Sequence, residues 1–141
     1  MQANITRRTR AAAGFTLIEL MIAVAIVGIL VAVAVGSYDF AMVKTRRAAA
    51  KGCLTEGAQF MERYYTTHFS YNDTDDPSVL PACSADVTDF YTIGFDGTPD
   101  ARSFKIQAVP QGSQATSDTK CGTLSLDQVG TKGATDVDAC W

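Results

Sequence analysis

The sequence predicts an α+β fold, in which a long N-terminal helix carries a small antiparallel β-sheet head. Two observations predict it. Residues 15–67 contain no proline and are rich in helix-forming residues, apolar at first and then amphipathic. After Ser70 the pattern changes to short alternating runs separated by turn-forming residues, which is typical of strands. With 141 residues, the chain has room for one modest domain in addition to the apolar part of the helix.

The first element is an apolar run from Phe15 to Val35, which has 21 residues and a single charge, Glu19. At about 1.5 Å per residue, this helix is long enough to cross a bilayer core of about 30 Å. Three arginines precede it within residues 1–14, which contain no acid: Arg7, Arg8 and Arg10. By the positive-inside rule they lie on the cytoplasmic side, so the sequence predicts that the rest of the chain lies outside the cytoplasmic membrane.

Two cleavage sites fit this N-terminus. An ordinary signal peptidase would cut after Ala34 and release a secreted globular protein, but the apolar run exceeds the usual signal core of about 7–15 residues. A cut between Gly14 and Phe15 would instead remove the arginines and keep the helix. It would also create an α-amino cation on Phe15 at the same membrane depth as Glu19, whose carboxylate is costly in hydrocarbon. Such a pair between staggered neighbouring subunits would set their register.

The segment that joins the basic leader to the helix resembles the class III signal of type IV prepilins; it reads Gly14-Phe15-Thr16-Leu17-Ile18-Glu19-Leu20-Met21-Ile22. The resemblance implies that a membrane prepilin peptidase cleaves after Gly14 and methylates the amine of Phe15. It also implies that Glu19 pairs with the Phe15 amine of a neighbouring pilin subunit when the filament assembles on an inner-membrane platform.

Four segments follow from this interpretation. Residues 1–14 form the leader peptide, and residues 15–36 form a transmembrane helix that becomes the filament core. Residues 37–68 continue that helix in amphipathic form, and residues 69–141 form a globular head stapled by disulfides. Membrane lipid surrounds the apolar helix before assembly.

The amphipathic continuation has one broad apolar stripe, which we expect to pack against a sheet. The stripe follows helical spacing and consists of Ala50, Leu54, Ala58, Met61 and Tyr65, widened by Cys53, Phe60 and Tyr64. Four cations at the start of this segment form what we call the basic collar: Lys44, Arg46, Arg47 and Lys51. The basic collar is interpreted as a solvated helix face or a contact with lipid headgroups. In a filament it could instead meet an acidic surface, such as Asp39 or the head of another subunit.

Three antiparallel strands are predicted in the head, at residues 89–95, 103–109 and 123–128. Apolar side chains alternate along the second and third strands and are expected to face the helix: Phe104, Ile106, Ala108, Leu124 and Leu126. This arrangement agrees with the pilin fold that the resemblance implies.

Four cysteines in an exported chain predict two disulfides, for which three connectivities exist. The pairing Cys53–Cys83 and Cys121–Cys140 is favoured. Cys53 lies on the apolar stripe facing the head, and the second bond would tie the C-terminal tail to the last strand. The segment from Cys121 to Cys140-Trp141 resembles the disulfide-bounded loop of PilE-type minor pilins.

No cluster of residues predicts an enzyme, a cofactor or a metal site. The only histidine is His68, which is interpreted as a helix-end residue, and the cysteines lack CxxC spacing. A run of aspartates lacks the glycine and glutamate of a calcium loop; it consists of Asp73, Asp75 and Asp76. Asn72-Asp73-Thr74 fits a glycosylation sequon, a pattern that often occurs by chance.

The charge of the head bears on its partners. Residues 69–141 carry eleven acids and four bases, and 4 − 11 gives a net charge of −7. This charge argues against nucleic acid as a partner, because sequence-independent binding depends on neutralising phosphates. A local patch at Arg102, Lys105 and Lys120 leaves that question open.

Together these features predict a structural subunit, a minor pilin of a type IV pilus that serves adhesion or twitching motility. The subunit is expected to reside in the cytoplasmic membrane with its head outside and then to enter an extracellular filament. One alternative is a pseudopilin of a type II secretion system, against which the C-terminal disulfide loop and the lack of an evident calcium site count. Another is a pilus-tip adhesin or a DNA-uptake subunit.

Overall fold

The computed structural model describes residues 14–72 and 80–141. Helix α1 runs from Leu17 to His68 and has 52 residues, which confirms the long helix expected from the sequence. The chain divides within α1 into two compact units, of which the first ends at Tyr38 and the second runs from Asp39 to Trp141. The leader residues 1–13, with their three arginines, lie outside the described residues, as do Asp73, Thr74, Asp75 and Asp76.

The first unit, in its described part, is the apolar portion of α1. All residues from 14 to 41 are exposed, including the large apolar side chains. The most apolar window of α1 has a mean hydropathy of 2.9, and none of that window is buried. The helix is therefore long and apolar enough to cross a membrane, and it offers its apolar surface to whatever surrounds it.

The second unit contains one antiparallel sheet with the strand order β1-β2-β3-β4. The strands are β1 (Tyr91–Phe95), β2 (Lys105–Pro110), β3 (Leu124–Asp127) and β4 (Lys132–Gly133). Three short helices complete it: α2 (Ala85–Thr88) before β1, α3 (Gly112–Ser117) between β2 and β3, and α4 (Val137–Cys140) at the C-terminal end. The register places Tyr91 opposite Pro110, and Ile106 opposite Leu126.

The core of the second unit lies between the predicted stripe of α1 and the sheet, as expected. On α1, the residues Ala50, Cys53, Leu54, Gly57 and Met61 are buried. On the sheet side, all five alternating residues expected to face inward are buried, and Tyr91 joins them. Helix and sheet approach closely at Gly57, where an added Cβ would lie 3.2 Å from Cδ1 of Ile106.

The fourth strand, β4, is not among the strands predicted from the sequence. It has only two residues, too few for an alternating pattern to be visible. Its Gly133 pairs with Ser125 of β3, and an added Cβ at Gly133 would collide with Oγ of Ser125. The glycine therefore permits β4 to approach β3. The predicted strands also begin one or two residues earlier than β1, β2 and β3 do.

Candidate maturation and assembly site

The residues expected to direct maturation and assembly lie at the beginning of α1. Gly14 and Phe15 precede the helix, and apart from the adjacent residues no atom of the described chain lies within 4 Å of a Cβ added at Gly14. The Phe15 side chain is 85% exposed. The peptide bond between these two residues is therefore accessible from all sides within the described chain, as a cleavage site must be.

Thr16 caps the N-terminus of α1. Its hydroxyl oxygen accepts a hydrogen bond from the backbone N–H of Glu19 at 3.3 Å, and its carbonyl accepts from Leu20 N–H at 3.2 Å. Thr16 and Glu19 thus occupy the first and last positions of a capping-box pattern, and the acid in the first turn also complements the helix dipole. This cap is not among the features predicted from the sequence above, although the Thr-x-x-Glu spacing indicates it.

The carboxylate of Glu19 makes no salt bridge within residues 14–72 and 80–141. It belongs to an exposed residue on a helix surface that is otherwise apolar. The described part of the chain thus uses the backbone N–H of Glu19 in the cap of α1 but provides no cation for its carboxylate.

The basic collar is not one solvated face, because Arg47 is buried in an ion pair. Its Nε and Nη2 donate to the two carboxylate oxygens of Asp118, each at 2.9 Å. The side chains of Arg47 and Asp118 are only 13% and 3% exposed. The interpretation of the collar as a solvated face or lipid contact is wrong for Arg47. Its partner lies 71 residues further along the chain, where no local pattern reveals it.

A buried polar cluster surrounds this ion pair. Gln114 Nε2 donates to Oδ2 of Asp118 at 3.1 Å and lies 3.0 Å from the hydroxyl of Tyr91 and 3.2 Å from the carbonyl oxygen of Val43. The Tyr91 hydroxyl itself donates to Asp118 at 3.4 Å. Burial, together with the charge of Asp118, raises the pKa of Tyr91 to about 12. We call Arg47, Asp118, Gln114 and Tyr91 the clamp, because they connect α1 with α3 and β1.

The other collar cations have different environments. The Arg46 guanidinium lies over the ring of Phe90, at 3.6 Å from the ring centroid, and Lys44 lies 4.5 Å above the ring of Phe40. The Nζ of Lys51 is 3.5 Å from the carbonyl oxygen of Trp141. The collar therefore consists of four cations with separate roles.

Two disulfides hold the head. Cys53 on α1 is bonded to Cys83, with the Cα atoms 5.8 Å apart, and Cys121 is bonded to Cys140, with a Cα separation of 5.5 Å. Both separations fall within the usual range for disulfides. Beside the second bond, the indole N–H of Trp141 donates to the carbonyl of Gly133 at 2.9 Å. The C-terminal segment is thus attached to both the sheet and the 118–122 turn.

Among residues 14–72 and 80–141, the side chains with metal-binding chemistry are not assembled into a site. His68 ends α1, its Nδ1 lies 3.0 Å from the Tyr64 carbonyl oxygen, and its ring stacks on that of Tyr64 at 4.1 Å. Within the part of the chain that the structure describes, no group of three metal-binding side chains comes together. In the head, two cations of the patch predicted at Arg102, Lys105 and Lys120 form ion pairs with different carboxylates: Lys105 with Asp96 at 2.7 Å and Lys120 with Asp136 at 3.4 Å.

Comparison with known families decides what kind of protein this is. The family model described as "Type IV minor pilin ComP, DNA uptake sequence receptor" matches residues 36–125, which is more than half of the chain. The chain belongs to this family of type IV minor pilins. A second model, the prokaryotic N-terminal methylation motif, matches residues 9–35 of the minor pilin and therefore includes Gly14, Phe15 and Glu19. The resemblance to type IV pilins is thus confirmed.

Solved structures share the fold of this minor pilin. A type IV pilin from Shewanella oneidensis is 33% identical with a TM-score of 0.52, over 70% of this chain and 97% of the Shewanella chain. The non-core minor pilin PilV of Neisseria meningitidis is 24% identical with a TM-score of 0.51, over 66% of this chain and 86% of PilV. No curated protein matches the chain. Family and fold make this minor pilin a structural subunit of a type IV pilus and not an enzyme.

Proposed function

We propose that this minor pilin is cleaved between Gly14 and Phe15 by a prepilin peptidase, methylated on the new Phe15 amine, and moved from the cytoplasmic membrane into a helical filament. In the filament, the carboxylate of Glu19 pairs with the Phe15 amine of a neighbouring pilin. The observation that carries the proposal is a helix surface that is apolar and exposed from residue 15 to residue 35 and bears one carboxylate, Glu19, which has no cation among the described residues.

Energetics support an intermolecular pair. A charged side chain in the bilayer core is costly, by up to about 3 kcal/mol at its centre on the scale derived from membrane insertion. Glu19 finds no cation among the described residues that would reduce this cost. Cleavage before Phe15 supplies one on every subunit, at the same helix end. An unpaired buried charge is more costly than a pair, so pairing between staggered neighbours favours a single register.

The proposal includes a topology. The leader arginines lie on the cytoplasmic side, the apolar part of α1 crosses the membrane, and the second unit lies outside. An inner-membrane assembly platform moves the mature subunit outward, and the apolar helices of neighbouring pilins replace lipid around α1. The match to a pilus minor pilin supports this proposal over a pseudopilin of a type II secretion system.

Replacement of Glu19 tests the proposal. Glu19→Leu removes the only charge of the apolar run, so we expect unchanged or improved membrane insertion and normal removal of the leader. We expect at least tenfold less mature Glu19→Leu protein in sheared filaments than wild type, measured by immunoblotting of membrane and filament fractions. Normal incorporation of this variant would show that the carboxylate does not set the register.

Thr16→Ala is the matched control, because it removes the cap of α1 and leaves the charge of Glu19 in place. A cap contributes about 1 kcal/mol to helix stability. If Glu19 acted only through the capping box, Thr16→Ala and Glu19→Leu would impair filament entry equally. The proposal expects Thr16→Ala to enter filaments several-fold better than Glu19→Leu.

A second candidate function is binding of DNA during its uptake, which is favoured by the description of the family that matches residues 36–125. The head is acidic overall, but the ion pairs of Lys105 and Lys120 lie at the surface. Exposed pairs contribute at most about 1 kcal/mol, so phosphates could replace the aspartates as partners of both lysines. The net charge of the head predicted that nucleic acid is not a partner. The family match does not support that prediction, and a direct binding experiment can test it.

Gel-shift titration of the mature, detergent-solubilised protein with duplex DNA provides that test. We expect the logarithm of the binding constant to fall linearly with the logarithm of salt concentration. Lys105→Gln combined with Lys120→Gln should reduce the steepness of this dependence by about 2, since each phosphate contact contributes about 0.9. Lys44→Gln, a cation of α1 outside the head, serves as the control. Absence of binding at low salt would eliminate this candidate.

A further inference from the structure

Arg46 is held in place by an aromatic ring and not by an acid. Its guanidinium carbon lies 3.6 Å from the centroid of the Phe90 ring. The backbone of Phe90 is itself fixed, because its N–H donates to the Val87 carbonyl at 3.0 Å and its carbonyl accepts from Gln111 N–H at 2.8 Å. The ring also packs against the core. The planar guanidinium is therefore positioned before any partner binds it.

The charge of Arg46 has no counterpart in the described residues. No carboxylate of those residues lies within ion-pair distance of it, and its Nε is covered by protein without an acceptor. The adjacent Arg47 does have an acidic partner, because both carboxylate oxygens of the buried Asp118 accept hydrogen bonds from it. A buried N–H of a charged group that has no acceptor is energetically costly. The terminal nitrogens of Arg46 can still form a bidentate pair with a carboxylate of another molecule.

We propose that Arg46 on its Phe90 platform is a docking point for a carboxylate on the head of a neighbouring pilin subunit. This inference rests on the proposed filament function and specifies one contact between subunits, an arginine paired with a carboxylate. Charge complementarity supports this partner. The chain's own head has exposed carboxylates without a salt bridge among the described residues, namely Asp86, Asp89, Asp100 and Asp138, and the net charge of residues 69–141 is −7. A neighbour with a similar head would present such groups to Arg46.

Filament incorporation of three variants tests the docking point. We expect Arg46→Gln to enter filaments at least about tenfold less than wild type, because truncation of one partner of a close charge pair at an interface is strongly unfavourable. Arg46→Lys keeps the charge but lacks the planar guanidinium group, so its incorporation into filaments should also fall several-fold. Lys44→Gln, which removes a cation two residues away, should enter like wild type. Equal losses in Lys44→Gln and Arg46→Gln would overturn the inference, since they would indicate a general need for positive charge, as at lipid headgroups.

A crosslink provides a second measurement that leaves Arg46 intact and changes only an exposed residue. A photoreactive phenylalanine analogue replaces the exposed Thr45, and filaments are irradiated before peptide mapping. We expect crosslinks to an aspartate- or glutamate-containing head segment of another pilin. Crosslinks confined to lipid or to the apolar helices would refute the docking point, as would wild-type incorporation of Arg46→Gln.

These results separate the inference from the proposed function. If wild-type protein and Lys44→Gln enter filaments while Arg46→Gln does so equally well, the docking point is wrong and the filament function stands. If wild-type protein is absent from filaments, the filament function itself is wrong.

Discussion

Disruption of the clamp by Arg47→Met should destabilise the second unit far more than disruption of a surface ion pair. The substitution leaves the Asp118 carboxylate, which is 3% exposed, with Gln114 and Tyr91 as its remaining donors. Removal of one partner from a buried ion pair costs about 3–5 kcal/mol, because the other charge stays buried without compensation. For a unit of about 100 residues, a loss of 3 kcal/mol lowers the melting temperature by about 12–24 °C.

A compensating variant tests the same reasoning in the opposite direction. Arg47→Met combined with Asp118→Leu removes both charges, and apolar replacements of buried ion pairs are often neutral or stabilising. Gln114 would still have the carbonyl of Val43 and the hydroxyl of Tyr91 as acceptors. We therefore expect the double variant to recover most of the stability that Arg47→Met loses.

The assay is thermal and urea unfolding of the mature chain in detergent micelles, followed by the fluorescence of Trp141, the only tryptophan. Its indole contacts β4 through Gly133, so its emission reports on the second unit. Lys105→Met is the matched control: its ion pair with Asp96 is 50% and 43% exposed, and such pairs contribute about 0–1 kcal/mol. If Arg47→Met cost no more than Lys105→Met, or if the double variant were less stable than Arg47→Met, the assignment of the clamp as a buried, coupled pair would be refuted.

Three further predictions concern processing, the disulfides and the tyrosines. Gly14→Val should leave the precursor uncut, and an immunoblot showing efficient conversion to the mature form would contradict the proposed cleavage site. Peptide mapping without reduction should yield Cys121 linked to Cys140, and serine at both positions should lower the free energy of unfolding by about 3 kcal/mol, since the bond joins residues that are 19 positions apart; any linkage of Cys121 to Cys83 would disprove the pairing. Burial raises the pKa of Tyr71 and of Tyr91 to about 12, from 10 in the unfolded chain, so their contribution to stability is complete below pH 10 and is lost as pH rises from 10 to 12. Titration of phenolate absorbance should show one late-ionising group fewer in Tyr71→Phe and in Tyr91→Phe than in wild type, and a titration unchanged in both variants would contradict this.

The sequence is informative wherever the fold depends on periodic patterns. Apolar residues at helical spacing predict the face of α1 that is buried, and alternation along residues 104–108 predicts the side of β2 that faces it. Two elements lack such a pattern. Helix α3 has the sequence GSQATS, with few strong helix formers, and it is held by Gln114 in the clamp and not by helix propensity. Strand β4 can pair with β3 because Gly133 has no side chain. The need for glycine at this position follows from the place of Ser125 in the folded sheet.

At the assembly site, too, some features could be predicted from the sequence and others could not. The residues of maturation form a contiguous motif, so Gly14, Phe15 and Glu19 could be identified from the sequence alone. Contacts between distant residues could not. The pairing of Arg47 with Asp118 and the stacking of Arg46 on Phe90 depend on how the head folds back on α1, and adjacent arginines with identical chemistry thus acquire opposite roles. Four cations on a helix indicate positive charge, but the sequence does not show which of them lacks an acidic partner within the subunit.

The bond between Cys53 and Cys83 has a mechanical consequence. A filament that is pulled carries tension along its helices, and a head attached to its helix only by apolar packing could be peeled away under load. Here a covalent crosslink joins the buried face of α1 to the segment before α2, and the Arg47–Asp118 pair attaches the same helix to a second point of the head. Force applied to α1 is therefore shared between a covalent and an ionic attachment. A reducing agent should weaken the head's resistance to pulling while leaving the apolar helices of the filament core unaffected.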